Sequence, residues 1–375
     1  MATHELQRHL KRLNKPAIKS IKSPDGDIID CVHISHQPAF DHPLLKNHTI
    51  QMRPSFNPFS LYDANKVEKE TSSITQLWHQ NGRCPNDTIP IRRTRKDDLL
   101  RASSIERYGK KSHGAIPNDV SVSHDGYIHE HSFAVANGQH YGTSVFMSVW
   151  NPYVHDPLEF SNTQLWLFGG PWEFLNTVEA GWQVYPNLYG DNRTRLFTYW
   201  TNDRYRQTGC YNLLCSAFVQ VSNKVALGSS LKPVSNYDGQ QYGILVVVYK
   251  DQKTGNWWLQ FGNKLDIGYW PASLVKHLPH AAGAAWGAEI INLNISSEHT
   301  STVMGSGHFG KEGLRKASLC GNIHILDESL NIKQPPEITL IAESPNCYDV
   351  VRAPNSEDLG THFFYGGPGK SPNCP

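Results

Sequence analysis

Two glutamates occupy places where a carboxylate is costly. Glu179 lies in Asn176-Thr-Val-Glu-Ala-Gly-Trp-Gln-Val-Tyr-Pro, and Glu289 in Ala284-Ala-Trp-Gly-Ala-Glu-Ile-Ile-Asn. In such apolar surroundings desolvation disfavours the charged form, which fits a carboxyl for acid or base work. Two such groups brought together cannot easily both ionise, and share one proton. One can then activate water while the other donates a hydrogen bond. The acids Asp191, Asp203 and Asp238 fall in turns, where solvent contact is expected. His129-Glu-His131, with His124 nearby, has two-residue ligand spacing, but a zinc site needs three ligands in defined geometry. Beside a linker-like stretch these histidines read as solvated surface. Met304-Gly-Ser-Gly-His-Phe-Gly lacks the lysine and the strand-to-helix context of a phosphate loop, and reads as a tight turn. Trp257-Trp258 could stack on sugars, but a sandwich core predicts the same residues.

The elements that would position these groups are strands. The chain has 375 residues, 10 Trp and 16 Tyr, with Gly and Pro plentiful, a mixture that suits a turn-rich β protein. Short aromatic and β-branched runs recur at His131 to Ala136, Tyr141 to Trp150, Gln164 to Phe168, Trp182 to Tyr185 and Leu196 to Trp200. They continue at Ala217 to Val221, Tyr242 to Tyr249 and Asn256 to Gln260, separated by turn residues. This pattern predicts an all-β antiparallel sandwich of jelly-roll type. Helix is expected only at Glu5 to Leu13, stopped by Pro16, and briefly at Pro271 to Leu278 and Lys311 to Ala317. The longest apolar run, Ile244 to Tyr249, is too short to span a membrane. The first residues are polar and charged, so no signal peptide is visible in this chain.

Gly109 to Asp125 is aperiodic and rich in Gly, Lys, Ser and Pro, which marks an exposed linker open to proteolysis. It divides a mixed, partly irregular segment, 1–119, from the sandwich, 120–375. Residues 1–119 carry 19 Lys+Arg against 13 Asp+Glu, a surplus of six, and the remainder carries a deficit of five, for a net charge of +1. A basic front segment would be drawn to an acidic back segment at neutral pH and loosened in acid. The near balance of the whole chain disfavours nucleic acid and anionic membrane as partners.

The 7 Cys are an odd number. Cys210 and Cys215 could close a tight turn, Cys347 and Cys374 could tie down the tail, and Cys31 and Cys84 both fall in the front segment. Cys320 is left over as a free, buried thiol. Connectivity is not fixed by sequence, and a cytosolic chain would hold all seven reduced. Glycosylation sequons at Asn47, Asn86, Asn192 and Asn294 point the other way, to a secreted or vacuolar protein.

At the two glutamates the chain resembles the plant neprosin family of glutamic endopeptidases. Asp25-Gly-Asp-Ile-Ile-Asp-Cys-Val, Gln37-Pro-Ala-Phe-Asp-His-Pro-Leu-Leu-Lys and Ile91-Arg-Arg-Thr resemble its activation segment. Glu179-Ala-Gly-Trp-Gln-Val-Tyr-Pro, Leu188-Tyr-Gly-Asp, Phe197-Thr-Tyr-Trp-Thr, Thr208-Gly-Cys-Tyr-Asn-Leu, Gly268-Tyr-Trp-Pro, Trp286-Gly-Ala-Glu and Met304-Gly-Ser-Gly-His-Phe resemble its peptidase domain. The resemblance implies a secreted zymogen with its propeptide in cis, a β-sandwich catalytic domain, and cleavage of peptides or proteins after proline at low pH. Its two catalytic glutamates fall on Glu179 and Glu289, with no metal or cofactor implied. Gln164 and Gln220 are expected as polar neighbours, and Trp182 and Trp286 as walls of an apolar subsite. Ala288 stands where glycine is expected, and its methyl group threatens to narrow the cleft. A monomer is expected. A β-jelly-roll glycosidase and a non-catalytic cell-wall carbohydrate-binding protein are the alternatives, since paired carboxylates and tryptophans also suit sugars.

Overall fold

The computed structural model describes residues 3–61, 74–111, 127–262, 264–293 and 298–375. The boundary expected between 119 and 120, His124 and the Asn294 sequon lie outside the described residues. Helix α1 (Thr3–Leu13) forms ahead of Pro16, as its composition predicts. Strand β1 (Ala17–Lys22) turns at Gly26, whose φ of +92° favours glycine, into β2 (Ile28–His33). After short 3-10 turns come β3 (Thr75–Gln76) and β4 (Thr88–Arg92), then helix α2 (Lys96–Arg101). Strands β1, β2 and β4 make an antiparallel sheet, fastened by the Cys31–Cys84 disulfide.

Beyond residue 127 strands dominate. They are β5 (Ile128–His140), β6 (Gly142–Ser148), β7 (Ser161–Gly169), β8 (Asn176–Val184) and β9 (Arg195–Thr201), with the short helix α3 (Pro186–Tyr189) before β9. Next come β10 (Val219–Gln220), β11 (Leu231–Lys232), β12 (Gly243–Lys250), β13 (Trp257–Phe261), β14 (Leu265–Trp270) and β15 (Ala281–Asn292). The chain ends with β16 (Ser318–Leu326), β17 (Ile332–Lys333), β18 (Thr339–Ala342), β19 (Asp349–Arg352) and β20 (Phe363–Gly366). Among the described residues one antiparallel sheet runs β18-β5-β15-β7-β8-β9, and the other runs β10-β14-β13-β12-β6-β16-β20-β19 with β17 beside β16. The protein is therefore an all-β sandwich behind a partly irregular front segment. The two helices expected later in the chain do not form. Pro271 to Leu278 is a series of turns, and only Gly310–Glu312 of the other makes a 3-10 turn. Burial of Leu274, Val275 and Leu278 fixes the first one as turns instead. Met304 to Gly307 is the expected turn, with Gly305 and Gly307 at positive φ. The three disulfides join the expected cysteines, Cys210–Cys215 and Cys347–Cys374 besides the first, and leave Cys320 free and buried.

Side chains alternate across a strand, so each strand of the first sheet has two destinations. From β8, Val178, Ala180 and Trp182 enter the core between the sheets, which also holds Trp258, Trp270 and Trp286. Glu179, Gly181 and Gln183 project from the opposite face. That face would be open to water in a bare sandwich, yet every residue of β8 is buried, because the front segment covers it. Leu6 and Leu13 of α1, with Leu99, Ile105 and Tyr108, pack against Phe197, Tyr199, Tyr205 and Tyr211. Strand β3 also pairs with β11, matching Thr75 to Lys232 and Gln76 to Leu231.

The charge contacts across this cover run in both directions, and one of them reverses the simple picture of a basic segment on an acidic one. Asp27 of the front segment receives a 2.6 Å bond from buried Arg195, and Asp25 accepts from Ser230. Here the front segment supplies the anions. Local pairing follows the individual side chains, which net charge cannot resolve.

Two glycines hollow the covered face. Gln164 lies between Gly287 on β15 and Gly181 on β8. A Cβ at Gly181 would stand 2.0 Å from the Thr163 carbonyl oxygen, and one at Gly287 would stand 2.4 Å from that of Ser132. Replacing Gly181 by alanine should lower stability by about 1–3 kcal/mol, read from the denaturant midpoint of the precursor. An unchanged midpoint would contradict this close approach of the strands.

Candidate active site

Register brings the two glutamates to one face. Glu289 on β15 pairs with Asn162 of β7, and Glu179 on β8 pairs with Trp166 of β7. Asn162, Gln164 and Trp166 alternate along β7, so both glutamates flank Gln164 and the glycine hollow. Neither has exposed surface. Into the hollow reaches the ammonium of Lys111, also without exposed surface. Its Nζ donates to Glu179 Oε2 at 2.6 Å and to Glu289 Oε2 at 3.3 Å. The Lys111 amide donates to the Tyr199 hydroxyl at 3.1 Å, and Tyr211 N donates to the Gly109 carbonyl at 2.8 Å. The segment Gly109 to Lys111, expected as exposed linker, is thus the part of the front segment that stops the site.

The surroundings of the two carboxylates differ. Glu289 accepts from Gln164 Nε2 at 2.8 Å, Asn162 Nδ2 at 3.3 Å and His129 Nδ1 at 2.6 Å. Burial alone would raise its pKa, but Lys111 and the two histidines beside it hold it well below the usual carboxylate range. Glu179 accepts from Thr177 Oγ1 at 2.8 Å and from the Tyr205 hydroxyl. Tyr205 is set by a turn in which it and Arg204 both take positive φ, near +60°. Asp203 organises that turn by accepting from the amides of Arg206, Gln207 and Thr208. Backbone so placed is costly and must be held by its neighbours. Burial of Lys111 disfavours its charge, yet the two glutamates raise its pKa above the ordinary lysine value.

The other expected site residues fall out unevenly. Gln164 touches Glu289 as stated. Trp182 and Trp286 do not wall the cleft: they point between the sheets, with indole N–H groups bonded to Ser148 O and Thr143 Oγ1. Three residues separate each from its glutamate, an odd step that puts them on opposite faces. Gln220 lies on an edge of the other sheet, where its amide N–H donates to Gln37 of the front segment. The Ala288 methyl faces the core with Trp286 and Ile290, so it does not narrow the cleft. His129 and His131, read as surface, have imidazoles only 1% exposed, packed among Glu289, Glu343, Phe160 and Trp166. Asp203, read as a solvated turn acid, is a turn organiser. Lys111, Tyr205, Asn162 and the histidine pair are the site residues that sequence reasoning missed. Only the alternation of His129 and His131 opposite Glu289 carried a signal for any of them.

An all-β sandwich whose own amino-terminal segment lies over a buried glutamate pair has the architecture of a hydrolase precursor. A family model described as Neprosin matches residues 157–368, and one described as Neprosin activation peptide matches residues 20–137. The chain belongs to the neprosin family, and with it to the glutamic peptidases, carrying its activation peptide in the same chain. Among solved structures it is similar to scytalido-glutamic peptidase with a peptide-based transition-state analog, at 8% identity and a TM-score of 0.32 over 64% of this chain and 97% of that one. It is also similar to SCP-B, of the eqolisin family of peptidases, in complex with the tripeptide Ala-Ile-His, at 8% identity and a TM-score of 0.30 over 63% and 96%.

Removing the Lys111 charge leaves two buried carboxylates without their cation, a loss of about 3–5 kcal/mol for a broken buried pair. A Lys111→Met precursor should melt well below the parent at pH 7. The Glu289 pKa is depressed in the folded state, so its contribution is full above the unfolded value of about 4.3 and is lost as pH falls through the folded value. Without the cation the two carboxyls share a proton, so the gap in midpoint should narrow as pH falls from 7 and close further below about pH 4. A gap independent of pH would rule out the ion pair as its source.

Proposed function

We propose that the chain is the zymogen of an acid-active endopeptidase that cuts on the carboxyl side of proline, with Glu179 and Glu289 as its water-activating dyad. The observation that carries this reading is the Lys111 ammonium held between the two carboxylates. One cation stands where the two groups would later share one proton. Once Lys111 leaves, Glu289 keeps Gln164, Asn162 and His129 as donors and remains ionised, the general base. Glu179 then holds the proton. Its Oε1 is occupied by Tyr205 and Thr177, so the proton sits on Oε2, the atom Lys111 now covers.

In the reaction Glu289 takes a proton from water as the oxygen attacks the peptide carbonyl. Glu179 donates a hydrogen bond to the developing oxyanion and then protonates the departing amine. The chain's own carboxyls account for every proton transferred. Activity follows a bell in the acid range, because one carboxyl must be charged and the other neutral. The aromatic shelf of Tyr199, Tyr205 and Tyr211 supports the prolyl preference: with the front segment gone it offers ring faces to an apolar ring that has no N–H to satisfy. Three disulfides fit an oxidising compartment, and the exposed sequon residues Asn47, Asn86 and Asn192 fit glycosylation. A secreted or vacuolar monomer is the corresponding setting.

The test is cleavage of a proline-containing quenched peptide from pH 2 to 8 after acid pretreatment. Glu179→Gln and Glu289→Gln should each cost at least about a hundredfold in rate. Near-parental rates in either variant would reject the dyad, and acid cleavage away from proline would reject the prolyl preference alone.

A further inference from the structure

Behind Glu289 lies a pair of residues that the reaction scheme leaves unused. Strand β18 pairs with β5, matching Ala342 to Ser132, and the next residue, Glu343, is bound to His131 three times. The Glu343 amide donates to the His131 carbonyl at 3.0 Å. The His131 amide and ring Nδ1 reach Glu343 Oε2 at 2.9 and 2.8 Å. These bonds fix the ring and its tautomer, since a carboxylate oxygen accepts and Nδ1 must carry the hydrogen. The other nitrogen, Nε2, is buried without a hydrogen-bond partner among the described residues and lies 3.8 Å from Glu289 Oε1. In a neutral ring that nitrogen would point a lone pair at a carboxylate oxygen, an arrangement a dry site penalises. In an imidazolium the same atom presents a proton and a positive charge.

We propose that His131, oriented by Glu343, is a positioning residue that stands as an imidazolium beside Glu289 and keeps it ionised in acid. The proposal rests on Glu289 being the base. The groups facing His131 are Glu343 after β18, Glu289 on β15, His129 on its own strand and Lys111 from the activation segment, while Trp166 and Phe133 border it without charge. Burial opposes the charge, but Glu343 and Glu289 outweigh it and raise the pKa above the ordinary histidine value. Among the described residues Lys111 is the one like charge within reach that activation removes. Its departure takes away repulsion from His131 at the moment when Glu289 loses its main cation. The histidine thus takes over part of the work of the lysine. His129, by contrast, is held below the ordinary histidine value, chiefly by burial, and acts as a neutral hydrogen-bond donor.

Coupling between two titrating groups is reciprocal, which yields two independent readouts. In acid-activated His131→Gln, the acid limb of kcat/KM against pH should move up by about one unit, with KM near parental at the optimum. In the inactive Glu289→Gln protein, the imidazole of His131, followed by NMR with 13C-labelled histidine, should titrate about one unit lower than in the parent. The second measurement needs no activity and no change at position 131, so it decides the matter if His131→Gln fails to fold. An acid limb that superimposes on the parent, or a His131 titration indifferent to Glu289→Gln, overturns the proposal. Retained activity in Glu289→Gln would instead overturn the dyad reading.

Discussion

A lysine ammonium shut between two carboxylates, all three without exposed surface, is the interaction around which this precursor is arranged. Desolvating three charges is expensive, and their attraction repays it only when the remaining lone pairs and protons are bonded. Each neighbour of the site meets part of that requirement. Asn162, Gln164 and His129 bond one glutamate, Thr177 and Tyr205 bond the other, and the rings of Tyr199 and Tyr205 lie within 6 Å of the ammonium. The glycine hollow supplies room, and the turn organised by Asp203 carries Tyr205 to its place. Without the cation, this group of buried acids would be a liability of the fold.

The covering segment has its own anchors. Its aliphatic residues rest on the aromatic shelf, one strand joins a strand of the sandwich, and Arg195 meets Asp27 away from the dyad. These contacts hold Gly109 to Lys111 in register with the hollow. The shelf is dry in the precursor because Leu6, Leu13, Leu99 and Ile105 occupy it, and exposed aromatic surface of that kind is what an extended peptide would cover next.

Much of this was legible in the sequence, and the losses have physical causes. Turn-separated aromatic runs announced the sandwich. The apolar setting of Glu179 and Glu289 marked them because a carboxylate there needs a reason. Spacing alone separates the tryptophans from the glutamates, for an odd step along a strand sends Trp182 and Trp286 to the core. Lys111 was illegible because its partners lie 68 and 178 residues away, and a lysine in a polar, aperiodic run looks like any linker residue. His129 and His131 misled for a related reason. Polar residues alternating along a strand describe a solvent face, and only the fold reveals that Glu289, Glu343, Phe160 and Trp166 have taken the solvent's place.

The plug is part of the same chain as the site it fills, and that has a kinetic side. While the chain is whole, Lys111 meets the two carboxylates at the effective concentration set by its tether, on the millimolar scale for a short connection. A cut on the carboxyl side of Lys111 leaves the bonds of Lys111 to Glu179 and Glu289 in place. It changes only the molecularity, turning a tethered occupant into a bound ligand that leaves at its own rate and can return. Cleavage and the onset of catalysis are then separate events, and dilution drives the second. In a crowded compartment the freed segment would persist as a competitive inhibitor of its former partner.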